Sequence, residues 1–307
     1  MNKRKQFLNL RNKILQRMFF ILTFVTLFMD TNKRGTLNNS NRFEKIVEDI
    51  KSIKIQGATN VARFALEAYF LNPSKKSKKI LLKSRPTEPM MQRALDLAES
   101  KTKEEILEHF DSSKEKINQY ALKLIKNKDR IFTHCHSSTV SNALIHAKKN
   151  GRKFRVYNTE TRPLYQGRIT ATNLSNAGID VTMFVDSSAA IAFEKEDKND
   201  DIYANKMFIG ADALTKEGAI NKVGSYMLSK LAHLNKIPVY VFTDSWKYTN
   251  ENPSIEQRPA KEVWDKAPKN VKIKNPAFEM IPKKYISGVV TELGVMGYEA
   301  FLKKCRG

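Results

Sequence analysis

The run THCHSST, residues 133–139, sets a cysteine between two histidines and ahead of three hydroxyl residues. It follows the short apolar segment Ile131-Phe132 and precedes helical spacing that begins at Val140, so Cys135 is expected where a strand ends and a helix begins. The partial positive charge of a helix N-terminus lowers the pKa of a thiol and attracts phosphate. A reactive cysteine is therefore predicted. A buried structural thiol is the alternative, and adjacent histidines have poor geometry for holding one metal ion with it.

An acidic residue, Asp212, follows Gly210 and Ala211 after another short apolar segment. A carboxyl at the end of a strand can act as a general acid or base when burial raises its pKa. Further on, Asn221 and Lys222 are expected to open a helix, where the pair would bind phosphate. The alternative is an aspartate that caps a helix and a lysine on the surface.

Two loops could also bind phosphate. The segment IQGAT, residues 55–59, is a glycine turn that opens a helix, and SRPTEP, residues 84–89, is a proline-bounded loop with an arginine. The planar guanidinium of Arg85 suits bidentate binding of phosphate. Taken alone, each segment is more typical of an ordinary loop.

These residues need a scaffold that brings separate strand ends together. From Arg130 onwards, short apolar runs alternate with helical spacing, which favours a parallel sheet with helices on both faces and ligands at the carboxyl ends of its strands. Residues 41–128 show helical spacing only. An α/β fold is predicted, with a basic and apolar extension and linker (1–40), a helical subdomain (41–128) and a Rossmann-like catalytic domain (129–307).

The charge is strongly positive, with 54 basic and 32 acidic residues and a net charge of +22. Nucleic acid is the usual partner of such a chain. However, the lysines are spread over helical stretches beside glutamates, which is typical of a solvated surface; a phosphorylated small substrate is a second explanation. No nucleic-acid partner is expected. The two cysteines, Cys135 and Cys305, form no disulfide framework, which favours a reducing, cytoplasmic setting.

The N-terminus carries a 12-residue apolar run, Met18 to Met29, after a basic stretch. The run is shorter than the roughly 17–25 residues that a membrane span needs, and no small-residue cleavage site follows it. Three hypotheses remain: translation begins at Met29, the stretch is a membrane-surface anchor, or it is a signal peptide.

Nine segments, taken together and in order, identify a family resemblance. They are IQGATNVA, SRPTEP, FTHCHSS, NTETRPLYQG, FVDSSAA, GADALTKEGAINKVGSY, VYVFTDSWKY, NPAFEMIP and VVTELG. From about residue 42 to the C-terminus the chain resembles the family of ribose-1,5-bisphosphate isomerase, methylthioribose-1-phosphate isomerase and the regulatory subunits of translation initiation factor 2B. The Thr-His-Cys turn followed by two serines is most similar to the ribose-1,5-bisphosphate enzymes.

The resemblance implies that Cys135 and Asp212 are the catalytic pair. Two departures matter: Gln56 stands where the family usually has arginine, which removes a charge from one phosphate subsite, and the interval from Asp212 to Asn221 is one residue shorter. The substrate contacts implied by the resemblance are Gln56, Gly57, Ala58, Thr59, Arg85, Ser137, Ser138, Thr139, Gln166, Asn221, Lys222 and Lys247.

The implied reaction converts α-D-ribose 1,5-bisphosphate to D-ribulose 1,5-bisphosphate in AMP salvage. Asp212 would serve ring opening and Cys135 would remove the proton on C2, without a metal or organic cofactor. The expected partners are the phosphorylated sugar, a nucleotide activator and further copies of the chain, as a dimer or hexamer. The alternatives are a non-catalytic regulatory subunit resembling translation initiation factor 2B alpha, and methylthioribose-1-phosphate isomerase, whose apolar substrate tail fits poorly with Ser137, Ser138 and Lys247.

Overall fold

The computed structural model describes residues 38–55, 57–86, 88–195, 202–251 and 253–306. The three hypotheses for the N-terminal stretch lie outside these residues, as does the predicted contact Gln56. Among the helices of the described ranges, none is long and apolar enough to cross a membrane.

The first part of the described chain is a layer of five helices. Their apolar residues recur three and four positions apart, so each helix presents one buried stripe, as with Phe43, Ile46 and Ile50. A capping box starts the longest helix: the Glu105 amide donates to Thr102 Oγ1 (3.3 Å), and the Thr102 amide donates to Glu105 Oε2 (2.8 Å). The helices are α1 (Asn39–Lys51), α2 (Ala58–Leu71), α3 (Lys75–Ser84), α4 (Pro89–Leu97) and α5 (Lys103–Leu124).

The second part contains a sheet of seven strands in the order β10-β9-β7-β4-β1-β2-β3, parallel except for β10. Residues on its strands alternate between two buried faces, with Ile131 in one apolar cluster and Phe132 in the other. The strands are β1 (Arg130–Thr133), β2 (Arg155–Thr159), β3 (Asp180–Phe184), β4 (Lys206–Ile209), β7 (Val239–Phe242), β9 (Gly288–Thr291) and β10 (Gly294–Met296).

Helices cover both faces of this sheet. On one face, α5 packs with α6 (Ser138–Lys149) and α7 (Gln166–Asn176); on the other lie α8 (Ser225–Leu234) and α9 (Tyr298–Arg306). The predicted α/β fold, a helical segment followed by a Rossmann-like sheet, is confirmed. The division of the chain into domains at residue 128 stays a prediction.

A small antiparallel sheet, absent from the sequence prediction, stands beside the large one. It contains β5 (Ala213–Leu214), β6 (Gly218–Lys222) and β8 (Phe278–Pro282), in the order β5-β6-β8. The expectation that Asn221 and Lys222 open a helix is wrong, because both pair with β8 and α8 begins only at Ser225. Local spacing cannot reveal this pairing, since the partner strand lies far along the chain.

Candidate active site

The turn that follows β1 fixes the backbone of Cys135. The residue has a left-handed backbone, with φ of 66°, which is uncommon for a residue other than glycine. Its amide donates to Thr161 Oγ1 (3.0 Å), and its carbonyl accepts from Thr170 Oγ1 (2.9 Å). The loop after β2 and helix α7 therefore hold the cysteine at the carboxyl end of β1. Ser137 caps α6 by accepting from the Val140 amide (3.3 Å).

His134 is a structural residue of the same turn. It is buried; its Nε2 lies 2.9 Å from the Val223 carbonyl, and its Nδ1 lies 2.6 Å from Thr159 Oγ1. Burial lowers the pKa of this imidazole, so it stays neutral, with Nε2–H as the donor. Gly224, with φ of 101°, packs on the ring so closely that a Cβ there would lie 2.9 Å from Nε2.

Asp212 lies in the turn at the carboxyl end of β4, and β4 is the strand that pairs with β1 in the sheet. Its amide donates to the Ile220 carbonyl (2.8 Å), and the buried Lys247 ammonium donates to the Ala211 carbonyl (2.6 Å). The turns after β1 and β4 are in contact, because a Cβ on Gly210 would lie 2.6 Å from Ser137 Oγ. Only a residue without a side chain fits here.

Burial favours the protonated form of both candidate catalytic groups. Burial raises the pKa of Cys135 to about 11, and burial also raises the pKa of Asp212. The positive charge of Lys222 lowers both pKa values, whereas the charge of Asp212 raises the pKa of Cys135 further. Lys222 thus acts on both groups, so all three share one electrostatic environment.

Arg85 and Glu88 add a second charged pair near Asp212. The Arg85 Nη2 atom is 3.7 Å from Glu88 Oε1 and 3.8 Å from Glu256 Oε2, while Arg85 Nε and Nη1 are buried without a hydrogen-bond partner. Burial, followed by the charge of Asp212, raises the pKa of Glu88 to about 7. Arg85 and Lys247 act in the opposite direction. Sequence reasoning missed Glu88 although it lies in the SRPTEP segment, because its importance comes from its burial.

Asp186 is a second residue that sequence reasoning missed. Its carboxylate accepts from the amides of Thr161 (2.9 Å) and Arg162 (2.6 Å). It therefore positions the loop whose Thr161 hydroxyl binds the Cys135 amide. The signal was its place in the segment FVDSSAA, directly after β3.

The other predicted substrate contacts fall in several places. Gly57 lies at the start of α2 with φ of 85°, and Ala58 beside it is buried. Gln166 begins α7 with its Oε1 atom buried and unpaired. The Asn221 amide donates to Ser225 Oγ (2.9 Å), so the side chain supports the start of α8.

Two cavities adjoin these residues. One of about 220 Å³ lies between the helical layer and the sheet, and Thr59, Ser138 and Thr139 line it together with Asp244. The other, of about 470 Å³, lies along α3 and reaches Arg85 and Glu88. Neither of these two cavities is lined by Cys135 or Asp212. Thr59, Ser138 and Thr139 thus adjoin one of these cavities and Arg85 the other.

A His-carboxylate cluster joins the helical layer to the sheet. His109 Nε2 lies 3.1 Å from Asp244 Oδ1, and its ring stacks on Trp246 with centroids 3.6 Å apart. Among the described residues, the three side chains whose ligand atoms could share a metal ion are His109, Asp244 and Glu292, within 4.8 Å of one another. The amide and hydroxyl of Ser245 already bind Glu292, and His109 already binds Asp244. These contacts fit a structural link.

The chain is similar to proteins named as isomerases and as translation initiation factors. The model of the "Initiation factor 2 subunit family" matches residues 53–297. A ribose 1,5-bisphosphate isomerase of Methanocaldococcus jannaschii is 30% identical over 283 residues, covering 81% of this chain and 89% of that protein. A methylthioribose-1-phosphate isomerase of Exiguobacterium sibiricum is 34% identical over 200 residues, covering 59% of this chain and 56% of that one.

A solved structure extends the likeness to the fold. The crystal structure of the Pyrococcus horikoshii translation initiation factor eIF-2B superposes with a TM-score of 0.72 at 27% identity. The match covers 84% of this chain and 98% of that one. The arrangement of helical layer and sheet is therefore shared over nearly the whole length of that protein.

Proposed function

The chain belongs to the initiation factor 2 subunit family, and we propose that it is an isomerase that converts α-D-ribose 1,5-bisphosphate to D-ribulose 1,5-bisphosphate. One observation carries the proposal: Cys135 and Asp212 stand on neighbouring strand ends under the charge of the same Lys222. Two titratable groups under the charge of one cation can exchange protons with a single bound molecule. Relatives named ribose 1,5-bisphosphate isomerase, at 30% identity over most of the chain, support the choice of substrate.

Asp212 would act first, as a general acid. The phosphate on C1 keeps the sugar closed as a ring, so no free aldehyde is available. Burial raises the pKa of Asp212 and so favours its protonated form, which can give a proton to the ring oxygen as the bond from C1 to that oxygen breaks. The electrons of the broken bond go to the ring oxygen, which becomes a hydroxyl group.

Cys135 would act as the base. Its thiolate takes the proton from C2, and the electrons of that bond form the C1–C2 double bond of an enol. The thiol then returns a proton to C1 while the Asp212 carboxylate removes the proton of the C2 hydroxyl. The product is the ketone, and both groups regain their initial protonation. Because burial raises the pKa of the thiol to about 11, the rate should rise with pH above neutrality.

Cations around the pair fit a doubly phosphorylated sugar. Lys247 is buried, and Arg85 has two buried nitrogen atoms without a partner, so both are suited to bind an anion. The proposal includes a place in AMP salvage and a nucleotide activator, which steady-state rates measured with and without AMP would test. The apolar tail of methylthioribose 1-phosphate would leave these charges unpaired.

A non-catalytic regulatory subunit is the second candidate, favoured by the likeness to a translation initiation factor over 98% of that chain. Such a subunit has no need of a proton-transfer pair. Retention of Cys135 and Asp212 favours the enzyme.

We also propose that the chain assembles as a dimer or hexamer. Strand β3 forms an edge of the large sheet, and exposed apolar side chains lie on it and near it. Exposed apolar side chains at a sheet edge are typical of an interface. Replacing one of them by lysine should lower the mass measured by light scattering, and an unchanged mass would contradict the assignment of this surface. These side chains are Leu164, Ile169, Met183, Val185 and Ile191.

Proton exchange at C2 tests the proposed roles. Substrate deuterated at C2 is incubated with the wild-type protein, with Cys135→Ser and with Asp212→Asn, and loss of the label is followed by NMR. Each variant should slow the loss by roughly 10²- to 10⁴-fold, the contribution of one general acid–base group. Cys305→Ser, which changes the other thiol, is the matched control and should exchange like the wild type. Full exchange in Cys135→Ser would contradict the role of the base.

A further inference from the structure

Two histidines flank Cys135, and the proposed reaction gives neither of them a role. Each is linked through threonine hydroxyls to the backbone of the cysteine. His134 is connected in this way to the Cys135 amide, and His136 to the Cys135 carbonyl. Both peptide groups of the residue that would remove the proton on C2 are therefore held by a chain of hydrogen bonds.

The first chain runs from the Cys135 amide to the Val223 carbonyl, and its geometry fixes each proton. A carbonyl only accepts hydrogen bonds, so the Nε2 atom of His134, 2.9 Å from that oxygen, carries the proton of the neutral ring. Its Nδ1 atom must then accept from the Thr159 hydroxyl at 2.6 Å. The Thr159 oxygen in turn accepts from the Thr161 hydroxyl at 3.3 Å, and the Thr161 oxygen accepts from the Cys135 amide at 3.0 Å. Every donor in the chain thus points from the cysteine towards Val223.

The second chain holds the Cys135 carbonyl and fixes the tautomer of His136. The Thr170 hydroxyl donates to this carbonyl at 2.9 Å, so its single proton is used there. The Nδ1 atom of His136 lies 3.0 Å from the same hydroxyl oxygen and must therefore be the donor. Burial lowers the pKa of His136, which favours the neutral ring with its proton on Nδ1. The two histidines are thus expected in opposite tautomers.

Strained backbone marks the point where these chains meet the cysteine. Cys135 has φ of 66° and Thr161 has φ of 62°, both in the left-handed region, which is unfavourable for a β-branched residue such as threonine. Such conformations persist only where the surroundings hold them, and they cluster at functional sites. Asp186 accepts from the Thr161 amide at 2.9 Å, and the Thr161 hydroxyl accepts from the Cys135 amide. The strained cysteine is therefore held by a residue that is itself strained and fixed.

We propose that His134 and His136 are positioning residues, which hold the backbone of Cys135 through the threonine hydroxyls in the conformation that presents its thiol to the substrate. The two chains stand on the geometry alone, whereas their effect on turnover rests on the proposed function. A displacement of about 1 Å can slow an enzyme by roughly 10²-fold. Loss of one chain should therefore slow proton transfer while substrate binding stays nearly unchanged.

Steady-state kinetics of valine variants tests this effect. Thr161→Val and Thr170→Val replace a hydroxyl by a methyl group, and each should lower kcat by roughly 10- to 10²-fold while KM stays within about twofold. Thr161→Ser and Thr170→Ser keep the hydroxyl and should recover most of the rate. Thr172→Val is the matched control on α7, because this exposed hydroxyl donates to the Arg168 carbonyl of its own helix at 2.8 Å.

A merely structural role would give a different result. The valine variants would then unfold at a lower urea concentration than the wild type, but the folded protein would keep its kcat. That result in Thr161→Val or in Thr170→Val would overturn the role of the histidine behind that hydroxyl.

A second measurement needs neither turnover nor a folded variant. In wild-type protein labelled with ¹⁵N at histidine, the NMR shifts of the ring nitrogens at pH 8 report which nitrogen carries the proton. His134 should be protonated on Nε2 and His136 on Nδ1. A proton on Nδ1 of His134, or on Nε2 of His136, would overturn the proposal. If the sugar is not turned over but both tautomers are as expected, the proposed function fails and the two chains stand.

Discussion

Replacing Glu88 by glutamine removes a buried ionisable carboxyl while keeping its shape. Glu88 is 4% exposed, one of its oxygens has no hydrogen-bond partner, and its side chain makes no capping bond to α4. The charge it takes on above neutral pH therefore has little to stabilise it beyond Arg85 and Lys247.

The size of the effect follows from the raised pKa. Folding raises the pKa of Glu88 from 4.5 to about 7, so the folded state binds a proton more tightly than the unfolded state. The stability from this proton is fully present below pH 4.5 and is lost as the pH rises through 7. A shift of this size corresponds to about 3 kcal/mol in total, of which about 2 to 3 kcal/mol falls between pH 5 and pH 8.

The assay is urea unfolding of the wild-type protein and Glu88→Gln at pH 5, 6, 7 and 8. The free energy of unfolding of the variant relative to the wild type should increase with pH, by about 2 to 3 kcal/mol over the range. Glu217→Gln, at an exposed site, is the matched control and should show no such trend. A difference between Glu88→Gln and the wild type that does not change with pH would contradict the raised pKa of Glu88.

Three more outcomes are expected. In a Cys305→Ala background, alkylation of Cys135 by iodoacetamide should be slow at pH 7 and accelerate about tenfold per pH unit up to the pKa of about 11. Lys222→Gln should slow the alkylation further, because it removes the positive charge that favours the thiolate. Fast labelling at pH 7 would contradict the raised pKa of Cys135. Gly224→Ala should destabilise the fold by roughly 2 kcal/mol or more, because the backbone there is left-handed and the new Cβ would lie 2.9 Å from Nε2 of His134. An unchanged melting temperature in thermal unfolding would contradict this expectation. Thr102→Ala should cost about 1 kcal/mol by breaking the capping box of α5, and Thr102→Ser, which keeps the hydroxyl, should restore most of it.

Short-range patterns predicted the elements whose signal is local. The apolar spacing of residues 41–50 and 103–126 gave helices, and the alternation after Arg130 gave the parallel sheet. The turn after β1 was also recognisable, because an apolar strand, a short polar segment and a new helical period follow one another directly. Cys135 and Asp212 could be assigned to strand ends for the same reason.

Features that depend on distant residues were missed. The pairing of β6 with β8 joins segments far apart in the chain, which is why Asn221 and Lys222 were expected in a helix. Helix α3 was not predicted as an element, since its ten residues contain five lysines and only Leu81 and Ser77 are buried. Glu88 gained its role only when folding buried it beside Asp212 and Arg85.

Turnover of α-D-ribose 1,5-bisphosphate is the most direct test of the proposed function. Wild-type protein, Cys135→Ser and Cys305→Ser are each incubated with the sugar, and ribulose 1,5-bisphosphate is measured by NMR. Conversion is expected with the wild type and with Cys305→Ser, and a loss of at least roughly 10²-fold with Cys135→Ser. Full conversion by Cys135→Ser, or no conversion by folded wild-type protein, would contradict the proposed function.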